Sequence, residues 1–121
     1  MTNLFSKLSP FAPLVLRLTI SFVMLWFGLN QVLNPESWTG FVPAWITDVG
    51  FDPVTFIYLN GAAEIILGSL LALGIATRVI AFLLFLHMTG IVIEVGLTPI
   101  GVRDIGLAGA LLFLSLHQEQ N

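Results

Sequence analysis

Four long apolar stretches, each broken by only a few polar side chains, divide the chain at about residues 10–33, 54–74, 78–97 and 99–117. Each approaches the roughly 20 residues that an α-helix needs to cross the hydrocarbon core of a bilayer. Only helices or closed barrels satisfy their backbones in lipid, and these stretches lack the alternation of a membrane β-strand. The pattern predicts an all-α integral membrane bundle of four transmembrane helices, a single domain. Ser9-Pro10, Asp52-Pro53 and Thr98-Pro99 each set a capping side chain before a proline suited to the first helical position. The links between the second and third spans, and between the third and fourth, are very short. Such links make antiparallel hairpins.

The first connection, Asn34–Asp52, is longer. Within it Trp38, Phe41, Val42 and Trp45 recur at the spacing of an apolar helical stripe. Tryptophan prefers the membrane–water boundary. The segment is expected to be a short interfacial helix over the mouth of the bundle, disturbed near Pro43; the alternative is a loop anchored by two tryptophans.

Composition agrees with lipid as the solvent. Only 9% of the residues are charged, where a soluble domain carries about 25%. A mean hydropathy of +0.99 points the same way. There is no cysteine, which excludes disulfides, thiolate metal sites and thiol chemistry by the chain itself. The four Lys and Arg are scattered singly, so nucleic acid is not an expected partner. The first apolar stretch exceeds the 7–15 or so residues of a signal-peptide core and lacks its cleavage pattern, so it is read as a retained span. Lys7, Arg17 and Arg78 fall on one side, while the long connection has acidic residues and no Lys or Arg. The positive-inside rule then places both termini in the cytoplasm of a plasma-membrane protein. Arg103 falls on the outer side against this trend, so a local partner is expected for it. The polar tail His117–Asn121 is expected to fray.

Chemistry enters with the ionisable residues inside the spans, each costing on the order of 3 kcal/mol or more at mid-bilayer and therefore a candidate functional residue. Counting from the turn near Ala76, Glu64 lies about twelve residues before it and His87 about eleven after, so the two share a depth. His87 and Glu94, seven apart, share a helix face, and Asn60 lies one turn outward of Glu64. Glu94 and Arg103 are nearly equidistant from the next turn, which suggests an ion pair. Asp104, about 100° further round, is expected to face another partner or the rim. Of Asn30 and Gln31 at most one can face this column. On the first span Arg17, Ser21, Met24, Gly28 and Gln31 form one stripe. Gly61 and Gly68 on the second span, and Gly106 and Ala110 on the fourth, are candidates for close helix approach. The candidate ligand-binding residues are Arg17, Asn60, Glu64, His87, Glu94, Arg103 and Asp104, with Glu64 and His87 as the catalytic candidates.

Each has a plainer reading. Glu64 and His87 would serve equally as hydrogen-bonded glue between helices, Glu94–Arg103 as a structural pair, and Arg17 and Arg78 as residues snorkelling to headgroups. The two histidines are too far apart in depth for joint haem ligation, and no metal-binding cluster, P-loop or nucleotide fingerprint is present.

The order of several short pieces resembles the DoxX family of small four-helix membrane proteins: Arg17-Leu18, Trp26-Phe27-Gly28-Leu29-Asn30, Asn34-Pro35-Glu36-Ser37-Trp38, Phe41-Val42-Pro43-Ala44-Trp45, Gly61-Ala62-Ala63-Glu64, Leu73 to Arg78, and Arg103-Asp104-Ile105-Gly106-Leu107. The resemblance implies a membrane four-helix bundle. One branch of that family is the membrane portion of a thiosulfate:quinone oxidoreductase, others resemble partners of redox enzymes, and distant relatives act as cargo receptors or assembly chaperones. A lysine familiar after the first-span glycine is replaced here by Asn30 or Gln31.

Three functions follow as expectations. The first is a redox-associated membrane subunit binding a quinone or another small lipophilic molecule, with Glu64 and His87 handling a proton and Arg17 or Arg103 stabilising negative charge. Since no electron carrier is legible in the chain, a redox partner protein would supply one. The second is a non-catalytic binding or assembly protein. The third is a small transporter, which four spans would support better as a homo-oligomer.

Overall fold

The computed structural model describes residues 2–117 and is helical throughout its spans; the rest of the expected frayed tail lies outside the described residues. Helix α1 (Thr2–Leu8) runs through a short 3-10 turn, Ser9–Phe11, into α2 (Ala12–Leu33). A second 3-10 segment, Pro35–Phe41, and the five-residue α3 (Ala44–Asp48) form the long connection. Three helices follow: α4 (Pro53–Leu73), α5 (Thr77–Val95) and α6 (Pro99–Leu116). Four helical stretches are long and apolar enough to cross a membrane: Asn3–Leu33, α4, α5 and α6.

Two of the three proposed caps form. The Asp52 carboxylate accepts the backbone N–H of Thr55, and the Thr98 hydroxyl accepts that of Gly101. Both satisfy one of the donors left unpaired at a helix start. Ser9 does not cap: the helix continues through Pro10 as a 3-10 turn and no side chain caps it. The connection forms two short helical segments rather than one continuous helix, with the disturbance where it was expected, near Pro43. It breaks at Val42, which is extended, and Pro43, as proline disfavours a helical residue before it. Its buried residues are Pro35 and Ile46 rather than the stripe of Trp38, Phe41, Val42 and Trp45.

The packing is two tight pairs, α2 with α4 and α5 with α6, facing each other; α4 and α5, joined by the short Gly74–Ala76 turn, touch much less. The reason for the first pair is a double glycine contact. A Cβ on Gly28 would lie 2.8 Å from the carbonyl oxygen of Gly61, and a Cβ on Gly61 would lie 2.9 Å from that of Gly28. In lipid, where apolar faces gain nothing by leaving water, such close backbone approach drives association. Gly68 extends the contact against Met24. Gly106 does not contribute as expected: it is exposed and a Cβ there meets open space, while Ala110 is half-buried. In α6 the buried small residues are Gly101, Ala108 and Ser115, Gly101 sitting against the Gly96 carbonyl.

The half of the bundle near the Gly74–Ala76 turn is solidly filled, with Met24, Leu71, Leu84 and Leu111 fully buried at its centre. At this end Arg17 packs its guanidinium against Gly74, whose φ of 76° closes α4, and Arg78 donates through Nε to the carbonyl of Ser115 at 2.9 Å. Arg78 thus satisfies a carbonyl in the last turn of α6, beyond the snorkelling expected of it. The other half is not filled.

Gly28→Ala and Gly61→Ala are each expected to destabilise the bundle by about 1–3 kcal/mol through overpacking. Gly109→Ala, whose added Cβ meets nothing, is the neutral control. Unfolding midpoints in one detergent give the comparison.

Candidate functional site

Between the two helix pairs, in the half nearer the long connection, lies a cavity of about 780 Å³. This is within the range of small-molecule sites, roughly 300–1,000 Å³. Its walls come from the parts of α2, α4, α5 and α6 nearer the long connection, and Trp38, Phe41 and Trp45 of the connection close over it. The lining is mostly apolar and aromatic, with polar groups gathered at two levels.

The inner level is a continuous hydrogen-bonded chain across three helices. Asn60 donates through Nδ2 to Gln31 Oε1 at 2.7 Å, and Gln31 donates through Nε2 to Glu64 Oε1 at 2.7 Å. The second carboxyl oxygen, Glu64 Oε2, lies 3.2 Å from His87 Nε2. Glu64 is only 4% exposed. Its depth match with His87 therefore becomes a contact, and Gln31 is the member of the Asn30–Gln31 pair that joins this chain; Asn30 also lines the cavity but donates to the carbonyl of Trp26. Because Asn60 takes the carbonyl of Gln31, the Gln31 amide must present its N–H to Glu64. Oε1 is then committed as an acceptor. The second oxygen, Oε2, faces His87 Nε2, and which of the two donates there depends on the imidazole tautomer.

The outer level differs from the expected pairing. Glu94 and Arg103 do not form an ion pair. Glu94 accepts the indole N–H of Trp45 at 3.2 Å, while Arg103 reaches its sequence neighbour Asp104, with Nη2 at 3.0 Å and Nε at 3.1 Å from Oδ1. Equal distance from a turn fixes depth but not rotation about each helix axis. Asp104 is not at the rim: it is 1% exposed, among the most buried side chains of the protein. The Arg103 guanidinium also lies 4.7 Å over the Phe27 ring, a cation–π contact joining α6 to α2.

Six of the seven candidate residues, Asn60, Glu64, His87, Glu94, Arg103 and Asp104, line this one cavity, and Arg17 does not. Gln31 was the residue left unassigned, although its place on the Ser21–Met24–Gly28 stripe carried the signal. Among the described residues no group of acidic, histidine or cysteine side chains is arranged to hold a metal ion.

The DoxX family model matches residues 12–97. The chain belongs to the DoxX family. It is a multi-pass membrane protein of that family, and the match covers the whole inner hydrogen-bonded chain from Gln31 to His87. It ends before α6, which supplies Arg103 and Asp104. No curated protein and no solved structure matches the chain.

The outer pairing has a measurable consequence. Arg103→Gln leaves the Asp104 carboxylate buried without its cation and is expected to cost on the order of 1–3 kcal/mol. Glu94→Gln keeps an acceptor for Trp45 and, being exposed, is expected to stay within about 0.5 kcal/mol of the parent. Equal losses in thermal unfolding would instead support a Glu94–Arg103 pair.

Proposed function

We propose that this protein is a redox-associated membrane subunit that binds a quinone, or a comparable lipophilic carbonyl compound, in the cavity between its helix pairs. The observation that carries the reading is the Glu64–His87 contact at the inner end of a cavity with apolar and aromatic walls. The residues suit such a ligand. An aromatic ring system matches Phe27, Trp38 and Phe56 along the walls, and a carbonyl oxygen matches the protonated partner of the Glu64–His87 pair.

A quinone, when bound, supplies carbonyl oxygens that take up protons as electrons arrive. The chain's part is to hold one proton between Glu64 and His87 in a place that excludes water, and to keep Glu64 oriented through Gln31 and Asn60. Proton transfer by a positioned imidazole or carboxyl group is ordinary acid–base chemistry. At the outer level, Arg103 sits beside the cavity with its charge balanced by Asp104. With no cysteine in the chain, electrons would come from a partner protein. Under this reading the termini lie in the cytoplasm of a plasma-membrane protein and the connection faces outward, as the distribution of Lys7, Arg17 and Arg78 favours.

A second reading is favoured by one feature. Both carboxyl oxygens of Glu64 already have partners inside the protein, as a purely structural crosslink between helices would require.

Titrating a short-chain quinone into the protein in lipid nanodiscs, followed by quenching of tryptophan fluorescence, separates the two. Glu64→Gln and His87→Ala are each expected to weaken binding by about tenfold or more, the equivalent of one lost hydrogen bond of about 1.4 kcal/mol. Unchanged quinone affinity in both variants, with only their unfolding midpoints lowered, would leave the structural reading.

A further inference from the structure

We infer that the cavity opens sideways into the bilayer, between α4 and α5 at Gly90, and is filled by molecules already dissolved in the membrane. The inference builds on the cavity being a ligand site and adds its route and the class of molecule that can use it.

Gly90 belongs to two surfaces at once. Along α5 the buried residues Ile80, Ala81, Leu84 and Met88 mark the face turned to the core. Gly90 lies on the other side with Leu86 and Ile93, which are 50% and 76% exposed, and is itself exposed. Yet Gly90 also lines the cavity. A Cβ built at this position meets no atom within 4 Å. At this point a missing side chain is what joins the interior space to the outside.

The surroundings locate the opening. His87 and Glu94 share one flank of α5, and Gly90 sits a turn from each and slightly further outward. The His87–Glu64 contact identifies this flank as the one turned to α4. Both seams between the helix pairs, α4–α5 and α2–α6, are more loosely packed than α2–α4 or α5–α6. Of these two, α2–α6 is bridged by Arg103 over Phe27, and Gly90 lies at the other. The end toward the connection is roofed by Trp38, Phe41 and Trp45, the last held by Glu94.

An opening in the flank of a membrane-crossing helix meets acyl chains rather than water. Isolated charges and strongly polar solutes are excluded there by their desolvation cost. An uncharged molecule with a long apolar tail is admitted, and the same gap lets the tail stay in lipid while the head reaches Glu64 and His87. The class selected is an uncharged, tailed lipophile.

The test uses phospholipid carrying a photoreactive diazirine midway along an acyl chain. The full-length protein is reconstituted in nanodiscs of this lipid, irradiated and mapped by mass spectrometry. Interior labelling at Ile57 and Ile91 is expected in the parent, beside labelling at the outer residues Leu86 and Ile93. Gly90→Phe is expected to abolish the interior labels and keep the outer ones; Gly90→Val, a smaller plug, reduces them and serves if the phenylalanine variant does not fold. Gly109→Phe, at another exposed glycine with open space around it, is expected to change nothing. Absence of interior labels in the parent, or their persistence in a folded Gly90 variant, overturns the lateral route. The probe is a lipid chain, so this result is independent of quinone binding. Interior labelling without quinone affinity would sink the functional reading and leave the opening in place.

Discussion

A carboxyl group at the middle of a hydrocarbon layer must find its hydrogen-bonding partners inside the protein, and Glu64 finds them on two different helices. Gln31 reaches it from α2 and His87 from α5. Since α2 and α4 form one close pair and α5 belongs to the other, the His87 contact is a polar tie across the two halves of the bundle. The apolar core ties the same halves near the Gly74–Ala76 turn, where Leu71, Leu84 and Leu111 are fully buried. Between these ties and the roof of aromatic residues the halves are bridged by Arg103 over Phe27 and otherwise enclose the cavity. The cavity is therefore a consequence of where the ties fall, with Glu64 both closing the structure and forming the inner wall of the space it leaves.

The pairing of α2 with α4 follows from glycine positions, whereas that of α5 with α6 goes with the short link between them. A short turn makes α4 and α5 antiparallel neighbours, yet their contact is thin. The much longer connection between α2 and α4 leaves those helices free to settle into the Gly28–Gly61 contact, where each backbone carbonyl occupies the space a side chain would need. Backbone approach of that kind is available only where both helices present a small residue at one level. On α5, Gly90 makes no such contact, since a Cβ there would meet no atom within 4 Å.

Depth was legible in the sequence, and rotation was legible only in part. Counting residues from a turn placed Glu64 opposite His87, and the helical period placed Gln31 with Ser21, Met24 and Gly28 on the buried stripe of α2. The same counting failed for Glu94 and Arg103, because two side chains at one depth can still lie on different flanks. Arg103 had a carboxylate at the next position, and a long guanidinium chain folds back to it as easily as it reaches across. Asp52 and Thr98 were legible as caps because each ends an irregular link, whereas Ser9 lies within a helix that runs on from α1. The disturbance expected near Pro43 is where the connection breaks, after an extended Val42, while the aromatic stripe does not mark its buried face. Gly106 shows the limit of reading small residues as contact points: a glycine looks the same in sequence whether it meets a neighbour or lipid.

The hydrogen-bond order around Glu64 bears on how the site would work. Asn60 engages the amide of Gln31, Gln31 engages Oε1, and Oε2 is the oxygen that faces His87. The carboxyl is thus held from both sides by side chains on two other helices, and its orientation toward His87 depends on two amides that carry no charge. Gln31 is in this arrangement a positioning group: it touches the cavity, but its part is to fix which edge of the carboxyl turns to His87.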